Sequence, residues 1–171
     1  MLRIIIATIV IVIAFASCKQ NSGSITTSSI YGNEEFIGSW ELQKWTASLA
    51  NGEIVFPYGD DAEGVITYDK FGHMSVQVMK NKRTKFLSED PLEAQPEEVW
   101  DDYNSFIAYS GNYKVDTSSN KVMHHIKLSS FPNWVNQTQL RYYKFDDDQL
   151  ILSTDFIGTS KHKLIWKRLN N

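Results

Sequence analysis

The stretch Phe106–Leu128 reads FIAYSGNYKV, then DTSSN, then KVMHHIKL. In its first run Ile107, Tyr109, Gly111, Tyr113 and Val115 alternate with Ala108, Ser110, Asn112 and Lys114. A period of two puts one set on each face of a β-strand. In its last run Val122, His124, Ile126 and Leu128 alternate with Met123, His125 and Lys127. The linker Asp116–Asn120 is a cluster of turn-forming residues. Two strands joined by so short a polar link pair as an antiparallel hairpin.

The same pattern continues in both directions. Phe36–Trp45, Gly64–Tyr68 and His73–Met79 come before it, and Gln139–Phe145, Gln149–Thr154 and Lys161–Leu169 come after. Asn51-Gly52, Asp69–Gly72 and Asp146–Asp148 supply turn chemistry between them. One helix is predicted from Gln95-Pro96-Glu97-Glu98, because Pro and acids suit the positive end of a helix dipole. Val99, Trp100, Tyr103 and Phe106 then share one helical face. The polar segment Lys80–Ala94 reads as a long loop across one end of the sheet. The fold class is all-β: eight antiparallel strands with one short helix, in a closed barrel or a sandwich. Closure removes exposed edges, and eight strands enclose room for one small ligand.

Composition narrows the function. The 171 residues are 42% hydrophobic and 13% aromatic, too apolar for a disordered chain. A mean hydropathy of −0.32 excludes a multi-span helical membrane protein. The net charge of −3 holds no basic excess, so nucleic acid is not an expected partner. The single cysteine excludes an internal disulfide and a thiolate metal cluster.

That cysteine stands at a telling place. Arg3 precedes the apolar run Ile4–Phe15, which is shorter than the roughly 20 residues a spanning helix needs. The run ends in Ala16-Ser17, as a signal peptide does. Phe15-Ala16-Ser17-Cys18 resembles the bacterial lipobox, with Phe15 in place of the usual Leu. The resemblance implies that residues 1–17 are a lipoprotein signal peptide and that Cys18 carries the lipid. Residues 18–35 would be a flexible tether, and residues 36–170 the folded domain. The expected location is the bacterial cell envelope, lipid-anchored, on the outer membrane where the cell has one.

Two further sets of residues carry a family resemblance. Gly38-Ser39-Trp40 opens the first strand and Trp166-Lys167-Arg168 closes the last. They resemble the lipocalin pattern, which implies that Arg168 packs over Trp40 and closes the barrel. The stretches Phe71–Gln77, Ile107–Tyr113, His124-His125, Phe131–Trp134 and Arg141–Tyr143 look like the lipocalin-like domain family. The resemblance implies a small eight-stranded barrel and names no reaction.

Strand alternation then selects the candidate ligand-binding residues: Tyr109, Tyr113, His124, Arg141 and Tyr143. Apolar walls with a few polar contacts describe a small-molecule site. An inward Arg141 suits an anionic head, because a guanidinium forks onto a carboxylate. The pair Arg141/Tyr143 resembles the carboxylate clamp of fatty-acid-binding barrels. His124 and His125 are adjacent, so on a strand they face opposite sides and cannot share a metal. No metal or cofactor is expected, and no hydrolase or phosphate-loop motif occurs. The reading is a membrane-anchored binder of a small apolar or amphipathic ligand. Two alternatives remain: a barrel enzyme of isomerase or cyclase type using a lumen His or Tyr, and an inert interaction module.

Overall fold

The computed structural model describes residues 34–169. The strands are β1 Gly38–Leu49, β2 Ile54–Val55, β3 Glu63–Tyr68, β4 His73–Met79, β5 Phe106–Asp116, β6 Lys121–Ser129, β7 Thr138–Asp146, β8 Gln149–Ile157 and β9 Ser160–Arg168. The helix α1 spans Pro96–Tyr103, and a short 3-10 turn spans Pro132–Trp134. Each long strand pairs antiparallel with the next, and β9 returns to β1. The result is a closed eight-stranded barrel. The two-residue β2 is an appendage that pairs with β1 alone. The expected signal peptide, Cys18 and most of the expected tether lie outside the described residues.

The turns follow from their acids. The Asp69 carboxylate accepts from the backbone N–H of Phe71 and of His73, each at 2.8 Å, and Gly72 takes φ 88°. Asp116 accepts from the hydroxyls of Ser118 and Ser119, which holds its pKa down at about 2. Such Asx turns offer the chain a tight reversal between strands.

One end of the barrel is shut by aromatic rings. Phe36 enters there and is fully buried. Its ring centroid lies 5.2 Å from Tyr68, 4.9 Å from Tyr143 and 5.0 Å from Phe145. The Arg168 guanidinium stacks 4.0 Å from the Trp40 ring. It also donates to the carbonyls of Ile37 at 2.7 Å and Glu35 at 2.6 Å. Trp40 Nε1 donates to the Phe36 carbonyl at 3.0 Å. Gly38 is required beside this stack, since it takes φ 131° and a Cβ would lie 3.0 Å from Arg168 Nη1.

Three features depart from the sequence expectations. Leu128 is 70% exposed rather than inward. The β5–β6 register slips between Ser110 and Gly111, so Lys127 is an extra residue on β6 and reverses the alternation after Ile126. Gly111 permits the slip, because a Cβ there would stand 2.0 Å from the His125 carbonyl oxygen. The apolar face of α1 is uncovered: Val99, Trp100 and Tyr103 are all exposed, and Phe106 belongs to β5. Polar contacts hold this helix instead. The Glu98 carboxylate accepts from the backbone of Gln95 and Leu87, and Arg83 pairs with Asp102. Finally, β1 and β8 run on past Trp45 and Thr154, which lengthens the barrel at the end away from Trp40.

Candidate functional site

The half of the barrel away from the Trp40–Arg168 stack holds a cavity of about 190 Å³. Its walls are mainly aliphatic and aromatic, with Trp45, Tyr58 and Trp134 among them. Tyr109, Arg141, Thr154 and His162 contribute the polar groups. These side chains share the lumen because each occupies an inward position on its own strand: Tyr109 on β5, Arg141 on β7, Thr154 on β8 and His162 on β9.

Arg141 is 6% exposed. Its Nη1 donates to the Leu140 carbonyl at 2.9 Å, and among the described residues no carboxylate pairs with it. Its charge also acts on the Tyr109 hydroxyl, which borders the same cavity. Burial raises the Tyr109 pKa, and Arg141 opposes that rise. His124 lies behind Tyr109, fully buried between the hydroxyls of Tyr68 at 2.8 Å and Tyr109 at 3.3 Å. Burial, with the charge of Arg141 next, holds its pKa well below 6.5, so it is neutral at pH 7. His162 is shifted down for the same two reasons, and its Nδ1 accepts from Trp45 Nε1 at 3.1 Å. Trp166 borders the same cavity, and its buried Nε1 has no hydrogen-bond partner among the described residues.

The chain matches the lipocalin-like domain over residues 37–169. It belongs to the lipocalin-like domain family. It is 33% identical over 87 residues to the 4'-hydroxy-3'-methoxypropiophenone carrier protein ppsC of Aspergillus oryzae, covering 47% of this chain and 78% of that protein. Among solved structures, a redesigned β-barrel aligns with TM-score 0.42 and 13% identity, over 80% of this chain and 93% of that one. A mutant of the fluorescent protein UnaG aligns with TM-score 0.38 and 11% identity, over 81% and 99%.

Within this lipocalin-like barrel the five sequence-selected ligand residues separate into three places. Tyr109 and Arg141 stand on the cavity wall. His124 is one layer behind, in contact with Tyr109. Tyr113 and Tyr143 belong to the aromatic plug at the closed end. There the Tyr113 hydroxyl donates to the Asp69 carbonyl at 2.9 Å, and burial pushes its pKa up to about 12. Trp45, Tyr58, Trp134, Thr154 and His162 are lining residues that the sequence reading did not select. His162 and Thr154 were open to selection, since His162-Leu164-Trp166 and Leu150-Leu152-Thr154 each run along one strand face. Trp134 comes from the loop after β6 and packs edge-on against Tyr109 at 5.5 Å, so that loop caps the barrel. Tyr58 sits on an irregular segment that carries no periodic signal.

Proposed function

We propose that this protein is a membrane-tethered carrier of a small, single-ring amphipathic molecule whose acceptor or anionic group meets Arg141. The observation that carries this reading is the guanidinium itself. A buried charge is costly unless it is paired, and here no carboxylate among the described residues pairs with it. A cavity of about 190 Å³ is somewhat larger than the roughly 150 Å³ that takes one benzene. It therefore suits one substituted ring rather than a long acyl chain. The carrier named among the relatives is a carrier for a compound of that kind, a single ring bearing hydroxyl, methoxyl and ketone oxygens. The lipid on Cys18 supplies the tether in this reading.

Tryptophan fluorescence tests it directly, since Trp45, Trp134 and Trp166 surround the cavity. Titration with 4-methoxybenzoate should quench the emission to saturation, and titration with palmitate should not. Saturable binding of palmitate alone, or of neither compound, would overturn the reading.

A further inference from the structure

Tyr68, His124 and Tyr109 form a hydrogen-bonded row that starts deep in the barrel and ends at the cavity. Tyr68 and His124 are buried and do not border the cavity, whereas Tyr109 does. A neutral imidazole carries one N–H, so the row can run in two directions. In the first, His124 Nε2–H donates to Tyr68 and the Tyr109 hydroxyl donates to Nδ1. The Tyr68 proton then has no acceptor, because His124 is its only hydrogen-bond partner among the described residues. Buried donors are rarely left in that condition. In the second direction Tyr68 donates to Nε2, and Nδ1–H donates to the Tyr109 oxygen. Both deep groups are then satisfied. The lengths agree with the second: 2.8 Å is an ordinary O–H···N bond, and 3.3 Å is a longer N–H···O contact.

Arg141 borders the same cavity as Tyr109, and a guanidinium only donates, so it offers the Tyr109 proton no acceptor. With its oxygen facing His124 and no acceptor at Arg141, the Tyr109 proton turns to its remaining side, which is the cavity.

We propose that Tyr68 and His124 hold Tyr109 as a hydrogen-bond donor into the cavity, where Tyr109 and Arg141 together grip one acceptor oxygen of the ligand. The grip rests on the carrier reading above, and the direction of the row does not. Tyr109 touches the ligand. Tyr68 and His124 are positioning residues that act through it.

The test has two arms. Nitrogen-15 NMR of the histidine-labelled, unliganded protein reads the His124 tautomer. The proton should sit on Nδ1, with Nε2 bare. A proton on Nε2 overturns the direction of the row. In the binding arm, Tyr109→Phe should weaken 4-methoxybenzoate about tenfold, the loss of one bond to a charged group. Tyr68→Phe touches nothing in the cavity, yet it should populate the Nε2–H tautomer and weaken 4-methoxybenzoate about threefold. An unchanged tautomer and affinity in Tyr68→Phe overturns the positioning role. Should that variant fail to fold, the wild-type tautomer still decides the direction. Failure of 4-methoxybenzoate to bind the wild type overturns the carrier reading and the grip together, and leaves the tautomer to judge the row alone.

Discussion

Arg168 closes the barrel in two separable ways, and a double-mutant cycle with Trp40 tells them apart. The guanidinium stacks on the Trp40 ring, with its carbon 4.0 Å from the ring centroid. It also ties the entering chain through the carbonyls of Ile37 and Glu35. The stack is worth about 0.5–2 kcal/mol, nearer the upper value where the ring is desolvated, as Trp40 is. The carbonyl bonds add about 1–2 kcal/mol in sum, because both groups regain water when the arginine is removed. Arg168→Met should therefore cost about 2–3 kcal/mol. Trp40→Ala removes a buried aromatic and should cost about 3–5 kcal/mol. In the double variant the carbonyl bonds are lost as they are in Arg168→Met alone, so only the stack is left as coupling. Urea unfolding of the four proteins should give a coupling of about 1–2 kcal/mol. Coupling below about 0.3 kcal/mol would refute the stack as an energetic contact and leave Arg168 as a tie to the backbone alone.

Four residues give the remaining predictions. Cys18→Ala should move the protein from the membrane fraction to the soluble one, and mass spectrometry should find acyl chains on a mature N-terminal Cys18. An unmodified cysteine would contradict the tether. His124 and His162 both have depressed pKa values, so the unfolded chain binds their protons more readily than the folded one. Their contribution is complete above pH 6.5 and is lost as pH falls below it, by up to about 1.4 kcal/mol per pH unit for each histidine. His124→Gln should flatten the fall in urea midpoint between pH 6.5 and 5, and an unchanged slope would show that the folded chain protonates His124 as readily as the unfolded one. Gly111→Ala should cost about 1–3 kcal/mol or more in the same assay, because its Cβ meets the His125 carbonyl oxygen and the bulge must move. A loss under about 0.5 kcal/mol would mean that the register slip is soft.

The barrel was legible in the sequence because its strands are short and alternate cleanly. The run His73–Met79 begins and ends where the alternation does. Inward Val122, His124 and Ile126 followed from the same period, and Leu128 did not, since a bulge inverts the period without leaving a mark beyond Gly111. The helix shows the opposite limit. Its spacing is amphipathic, yet the closed barrel offers it no groove, and no residue of α1 is buried. At the site, Tyr109 and Arg141 were legible because alternation alone places them inside. Alternation tells inside from outside and does not tell which end of the lumen a residue reaches. That is why Tyr113 and Tyr143 were grouped with the ligand residues although they pack against Phe36. Tyr58 and Trp134 arrive from irregular segments whose position depends on the assembled barrel.

The most direct measurement is calorimetric titration of the wild type and Arg141→Met with 4-methoxybenzoate and with its methyl ester. Charge-assisted hydrogen bonds contribute about 1.5–3 kcal/mol each, so loss of the guanidinium should weaken the acid by about 10- to 100-fold. The ester, which offers Arg141 only a neutral carbonyl, should lose clearly less than the acid. An acid that binds both proteins alike would contradict the claim that Arg141 is the ligand's partner, and equal losses for acid and ester would contradict an anionic head and leave Arg141 on a neutral acceptor.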